Sequence, residues 1–183
     1  KFISEIEFAS RFTDAFIIAV TGSNGKTTTA TLIYHILKNA GLNVGLAGNI
    51  GVSFASSVCD YSYDYYVLEV SSFQLDHSIT FKPNISVITN ISPDHLDRYD
   101  EDFDLYTLSK YSIVKNQKPN DFFVYNNDCN VTKKIFSRVQ IKSKSISFST
   151  KQNSGLKHSI YANNKNIISS INKEKFMLST DKK

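Results

Sequence analysis

The sequence predicts an α/β fold, a doubly wound and mostly parallel sheet with a small antiparallel β appendage near the C-terminus. Three observations carry this. Up to about Ser145, apolar runs of strand length alternate with longer segments of helical periodicity. A glycine-rich turn, Thr21-Gly22-Ser23-Asn24-Gly25-Lys26-Thr27-Thr28, joins the first apolar run directly to the first helical segment. Beyond Ser145, short apolar stretches are separated by polar turns such as Asn163-Asn164-Lys165.

In order, residues 1–15 read as an amphipathic lead-in with Ile3, Ile6, Phe8 and Phe12 apolar. Residues 16–20 (Phe-Ile-Ile-Ala-Val) form a buried strand. A helix over about 27–40 follows, with Leu32, Ile33, Ile36 and Leu37 on one stripe and Gly41 closing it. A strand at 43–47 leads through Gly48-Asn49-Ile50-Gly51 into a short helix toward Val58. Strands follow at 65–70 and 85–89. A helix over about 103–116 begins after Asp100-Glu101-Asp102, acids that favour a helix N-terminus. A strand at 122–125 and a helix at 128–137 complete the alternating part. The short strands 146–148, 159–162, 167–171 and 176–178 are expected to be antiparallel.

Composition limits the function classes. The 183 residues suit one domain or one and a half, and 41% hydrophobic residues, with thirteen Phe and ten Tyr, supply a packed core. Cys59 and Cys129 lack metal-ligand spacing and suggest a reducing compartment. No apolar run approaches the ~20 residues that span a bilayer, and the first residues lack a signal-peptide core, so a soluble cytoplasmic protein with no membrane partner is expected. The net charge of +4 reflects lysines beyond Lys133, where Glu174 and Asp181 are the only acids. With no basic run interleaved with aromatics there, nucleic acid is not an expected partner.

The chemistry concentrates at predicted strand ends, where ligands of α/β sheets bind. Gly22 and Gly25 allow backbone N–H groups to approach phosphate oxygens, and the helix after them directs its free N–H groups at the same anion. Gly22, Ser23, Asn24, Gly25, Lys26, Thr27 and Thr28 are therefore expected to bind a nucleotide. Lys26 would reach the outer phosphates and Thr27 would ligate Mg²⁺. The loop is a shortened phosphate loop (P-loop), since Val20 stands where G-x-x-x-x-G-K-[ST] has its first glycine. Glu69 ends the third strand after Tyr-Tyr-Val-Leu, where an unpartnered acid is costly, and is expected to share the Mg²⁺. The loop after the fourth strand, Asn90-Ile91-Ser92-Pro93-Asp94-His95-Leu96-Asp97-Arg98-Tyr99, is dense in ligand-capable groups. His95 beside the phosphate loop reads as functional, while Asp94 and Asp97 could cap a helix or face a metal. Asn49 reads equally as a turn residue or a substrate contact. Nothing local distinguishes Lys110 from Lys115.

Together these segments resemble the Mur ligase superfamily. The Thr21–Thr28 loop is similar to its ATP loop. Gly48-Asn49-Ile50-Gly51 and Leu68-Glu69-Val70-Ser71-Ser72-Phe73-Gln74-Leu75 resemble its D-glutamate-adding branch, and Asn90–Tyr99 resembles its histidine loop. The resemblance covers nearly the whole chain but is sparse after Lys133. It implies an ATP-dependent ligase that adds D-glutamate to UDP-N-acetylmuramoyl-L-alanine in peptidoglycan synthesis, acting as a monomer on small molecules. By position it assigns Lys26 to the ATP phosphates, Thr27 and Glu69 to a first Mg²⁺, and His95 to a second. Asn49, Ser71 and Gln74 would contact the muramoyl substrate. Lys110 falls where the superfamily has a carbamylated lysine that serves the metal site, giving Lys26, Glu69, His95 and Lys110 as the catalytic set. The superfamily's three domains imply that residues 1–15 lead in from an absent N-terminal domain and that 16–183 are a central domain cut short at its C-terminal end. A sibling ligase, a folylpolyglutamate synthase or a nucleotide-binding module without ligase chemistry are the alternatives.

Overall fold

The computed structural model describes residues 2–136, 138–150, 158–162, 166–171 and 174–179. The first strand, β1 (Phe16–Thr21), is central and buried on both faces. Ile17 and Ala19 join one hydrophobic cluster, while Ile18 and Val20 join the other. This is the run pattern of a strand covered on both sides. It pairs in parallel with β3 (Tyr65–Glu69) and β4 (Ile85–Ile88), so that Val20 stands opposite both Glu69 and Val87. Among the described residues the sheet has nine strands in the order β2-β3-β1-β4-β5-β6-β7-β8-β9, with β2 spanning Val44–Gly48 and β5 Phe122–Asn126.

The C-terminal strands depart from expectation. β6 (Lys144–Ser149) and β7 (Ser159–Ala162) extend the parallel sheet, and among the described residues only the pairings of β7 with β8 (Asn166–Ile171) and of β8 with β9 (Glu174–Ser179) are antiparallel. Short runs specify which face is apolar, but the direction of pairing is set by the sheet edge they meet. The turn expected at 163–165 lies outside the described residues.

α2 (Lys26–Asn39) covers one face of the sheet through Ala30, Ile33, Tyr34 and Leu37, the i, i+3, i+4, i+7 set of a helix. The expected stripe is therefore rotated, and Leu32 and Ile36 are exposed. Past α2, the same face carries a groove of ≈ 720 Å³ lined by Ile85, Val87, Val124 and Phe148 and ending at Asn24 and Asn90. The opposite face carries α1 (Glu5–Ala9), α3 (Phe54–Asp60), α4 (Ser72–Asp76), α5 (Phe103–Tyr111) and α6 (Asn130–Ile135). The helix expected over 103–116 ends at Tyr111 and tightens into a 3₁₀ turn, Ser112–Val114. No helix among the described residues is long and apolar enough to cross a membrane.

The lead-in packs on this core, but not by its aromatic residues. Ile6 and Ala9 are buried, whereas Phe8 and Phe12 are exposed and lie against each other. Glu7 is fully buried beside them. Its carboxylate accepts the N–H groups of Ile79, Thr80 and Phe81, the Thr80 hydroxyl and the Arg11 guanidinium. Burial pushes its pKa up, yet these donors outweigh it and bring the group from 4.5 to about 2.

Candidate functional site

Four loops at the carboxyl ends of β1, β2, β3 and β4 meet at one edge of the sheet. The loop after β1 turns at Gly22 (φ 147°) and enters α2 from Gly25 (φ 78°). At Gly22 a Cβ would stand 2.0 Å from the Thr89 hydroxyl, so only glycine lets this loop lie against β4's end. Gly25 caps no N–H with a side chain, so the first turn of the 14-residue α2 presents open N–H donors toward the loop. Lys26 folds back, and its Nζ donates to the carbonyls of Gly22 and Ser23, both at 3.0 Å. Thr28 is exposed in the same turn.

Thr27 Oγ1 donates to Glu69 Oε2 at 2.7 Å, and Asn49 Nδ2 donates to Glu69 Oε1 at 2.9 Å. Two residues distant in sequence, Thr27 and Asn49, thus share the carboxylate of Glu69, which is almost wholly buried. Asn49 is not merely a turn residue. Gly48 (φ 103°) brings its loop so close that a Cβ would lie 2.3 Å from the Glu69 carbonyl, and the Asn49 N–H donates to that same oxygen. The adjacent oxygens of Thr27 and Glu69 are the hard donors that Mg²⁺ takes. Among the described residues, no group of three or more His, Cys, Asp or Glu side chains gathers to hold a metal. Such a sparse donor set fits an ion that is completed by phosphate and water oxygens.

Ser23 does not face the loop's open side. Its buried hydroxyl donates to the Ser92 carbonyl, accepts from the Ser92 N–H and lies 3.0 Å from the Tyr106 hydroxyl. Ser71 and Gln74 come together as a capping box for α4: Ser71 Oγ accepts from the Gln74 N–H, and Gln74 Oε1 accepts from the Ser71 N–H. In the structure, these expected substrate contacts are partners of each other.

His95 is exposed and has a left-handed backbone (φ 53°), as do Asp100 and Glu101 nearby. Its Nε2 lies 3.6 Å from the Asp94 carboxylate, and its ring lies against Phe73. The same Phe73 ring carries the Arg98 guanidinium at 4.9 Å and stacks on Tyr99. Tyr99 in turn donates to Asp76 at 2.7 Å. One aromatic side chain of α4 thus braces the histidine loop, with Asp97 exposed in its 3₁₀ turn, Leu96–Arg98.

Lys110 is only 2% exposed on α5, with its Nζ 4.7 Å from the centre of the Tyr106 ring. Burial, and then the charge of Lys26, push its amine from 10.5 down to about 8 against the opposing pull of Asp94 and Asp76. Lys115 of the following turn is exposed, so the structure makes the distinction that local sequence does not. Sequence reasoning gives no role to Phe73, Tyr106, Thr89 or Asn90, which pack against or hydrogen-bond the loops of the site. Phe73 and Asn90 lie within the quoted motifs, but their roles depend on partners distant in the chain.

A mostly parallel sheet with a glycine loop, a threonine–glutamate pair and a buried lysine at one edge defines an α/β protein whose candidate site lies at the carboxyl ends of its strands. The chain belongs to the Mur ligase family, matching the Mur ligase middle domain over residues 20–182. It is 52% identical over 153 residues to the UDP-N-acetylmuramoylalanine–D-glutamate ligase of Bacteroides fragilis, an alignment covering 84% of this chain and 34% of that protein. It is 45% identical over 179 residues to the enzyme of the same name from Christiangramia forsetii, covering 97% of this chain and 40% of that one. The chain therefore spans between a third and two fifths of the length of these relatives. Among solved structures, MurF ligase from Thermotoga maritima in complex with ADP superposes with a TM-score of 0.65 at 20% identity, covering 96% of this chain and 43% of that one.

Proposed function

We propose that this chain is the ATP-handling middle part of a ligase that joins D-glutamate to UDP-N-acetylmuramoyl-L-alanine. The observation that carries it is the Thr27–Glu69–Asn49 cluster beside the glycine loop, in a chain about half identical to ligases of that name. The reaction itself is proposed for this segment joined to the remaining sequence that such relatives carry.

In this reading the Gly22–Thr28 loop is a phosphate loop of a doubly wound domain. The N–H groups at the start of α2 receive phosphate oxygens, and the Lys26 ammonium turns from the Gly22 and Ser23 carbonyls to the outer phosphates. Thr27 and Glu69 would hold a first Mg²⁺, and His95 with a carbamylated Lys110 a second. Bound Mg²⁺ neutralises charge on the transferring phosphoryl group. Carbamylation joins the neutral Lys110 amine to CO₂ with loss of one proton. A lysine with a pKa of about 8 has roughly a quarter of its amine neutral at pH 7.5, far above an ordinary lysine. The product is an anion where a lysine would repel a cation.

The alanyl carboxylate takes the γ-phosphoryl group and ADP leaves. The D-glutamate amine then attacks the acyl carbon, releasing phosphate and a proton and forming the amide. Activation is required because a carboxylate is a poor electrophile. Asn49, Ser71 and Gln74 line the edge along which the muramoyl substrate would lie, once the capping box exchanges partners.

The test is a chimera in which this chain replaces the aligned segment of the Bacteroides fragilis ligase. Phosphate release that depends on D-glutamate, and is not supported by other amino acids, is the expected result. A well-folded chimera that accepts a different amino acid, or that binds Mg²⁺-ATP without releasing phosphate, would sink the proposal.

A further inference from the structure

We propose that Asn90 is a positioning residue that holds the glycine loop in its phosphate-accepting shape, an inference that rests on the nucleotide reading above. Asn90 follows β4 and clasps one residue of the loop, Asn24, through the two successive peptides that flank it. Its Oδ1 accepts the Asn24 N–H at 3.0 Å, and its Nδ2 donates to the Asn24 carbonyl at 2.9 Å. Its own carbonyl accepts the Ser23 N–H at 3.0 Å. The neighbouring Thr89 hydroxyl donates to the same Asn24 carbonyl at 2.7 Å.

Two consequences follow from this geometry. The N–H groups of Ser23 and Asn24 are already engaged, so they are not free for phosphate, and the expected nucleotide contacts at these two residues are supports. The donors left for an anion are those from Gly25 onward at the head of α2. The clasp fixes the direction in which those donors point, because Asn24 is the residue that leads into the left-handed Gly25. An amide is the side chain this requires. It is the only short uncharged group that offers a donor and an acceptor side by side, matching the carbonyl and the N–H of a single residue. Aspartate would place a second acceptor against the Asn24 carbonyl, and alanine would leave both peptide groups to water. Preformed donors need no reordering when the anion arrives, which is where the gain in affinity arises.

The experiment compares the 183-residue chain with Asn90→Ala and Thr89→Val, each titrated with Mg²⁺-ATP and with inorganic tripolyphosphate while amide resonances are followed by ¹H–¹⁵N NMR. Asn90→Ala should weaken both ligands about tenfold or more and move the Ser23 and Asn24 amide signals, with the remaining signals unperturbed. Thr89→Val, which keeps the apolar shape and loses one of the two donors to Asn24, should weaken both ligands about threefold. It also tests the clasp if Asn90→Ala does not fold. Affinities within twofold of the parent in the folded variants would overturn the positioning role while leaving the nucleotide reading intact. A parent chain that binds neither ligand, and is no different from Lys26→Met, would overturn the nucleotide reading and this inference with it.

Discussion

Lys26 and Lys110 are the same side chain in two settings, and the setting decides what each can do. Lys26 lies over its own loop, with its ammonium satisfied by two carbonyls that a phosphate can replace. Lys26→Met keeps the aliphatic stem and removes only the charge. It should cost at least about tenfold in Mg²⁺-ATP affinity by isothermal titration calorimetry, with melting temperature little changed. Lys110 instead sits under Tyr106 with its amine brought down to about 8. The sign follows directly. Between about 8 and 10.5 the unfolded chain holds the proton that the folded chain has released, so this group's contribution to stability rises with pH across that window. Carbamate formation needs the neutral amine. At fixed CO₂ pressure, a ¹³C carbamate signal should therefore grow as pH rises from 7 toward 8.5 and be missing in Lys110→Arg. A signal independent of Lys110 would remove the second metal site from the proposal.

Among the elements, α1 shows how a short helix is held by one polar group. Five residues are too few to be stable alone, and two of the lead-in's aromatics face solvent. The Glu7 carboxylate supplies the missing anchor by gathering three consecutive N–H groups from the segment after α4. Its pKa is held below the unfolded value, so the stabilisation is complete above about 4.5 and is lost as pH falls toward 2. The full effect is on the order of 3 kcal/mol at neutral pH. Glu7→Gln should destabilise the chain by about 2–4 kcal/mol in urea titrations at pH 7, since it turns an amide donor toward donors. The gap between variant and parent should close between about pH 4.5 and pH 2. A gap that persists at low pH would show that the anchor acts through shape and not charge.

For the molecule as a whole, the proposed ligand binds where four strand-end loops meet, so its effect should reach the global transition. At a free Mg²⁺-ATP concentration ten times Kd, linkage gives about 1.4 kcal/mol, or roughly 3–6 °C in melting temperature for a domain of this size. No shift at that ratio would mean that the ligand binds folded and unfolded chains alike. The place of the candidate site is legible in the sequence because the glycine loop, Glu69 and the loop that carries His95 each follow or end a strand that hydrophobic pattern alone locates. The alternation of strands and helices was readable for the same reason, since periodicities of two and 3.6 residues are written locally. The buried face of α2 was misjudged because Leu32 and Ile36 are as apolar as Ile33 and Leu37, and only the position of the sheet tells them apart. Parallel pairing of β6 and β7 was missed because a short apolar run looks the same in either direction.

Local order determined the candidate: a strand, two glycines, a lysine and two threonines in register suffice to suggest an anion-binding loop, because adjacent residues dictate backbone direction and donor placement. Tertiary packing decided which of these groups meet and which turn inward. It joined Thr27, Asn49 and Glu69 across 42 positions of chain, turned Ser23 inward, buried Lys110 and set Asn90 behind the loop. Those outcomes depend on desolvation and on hydrogen bonds between distant segments, and such terms take their value only when the sheet brings the segments together.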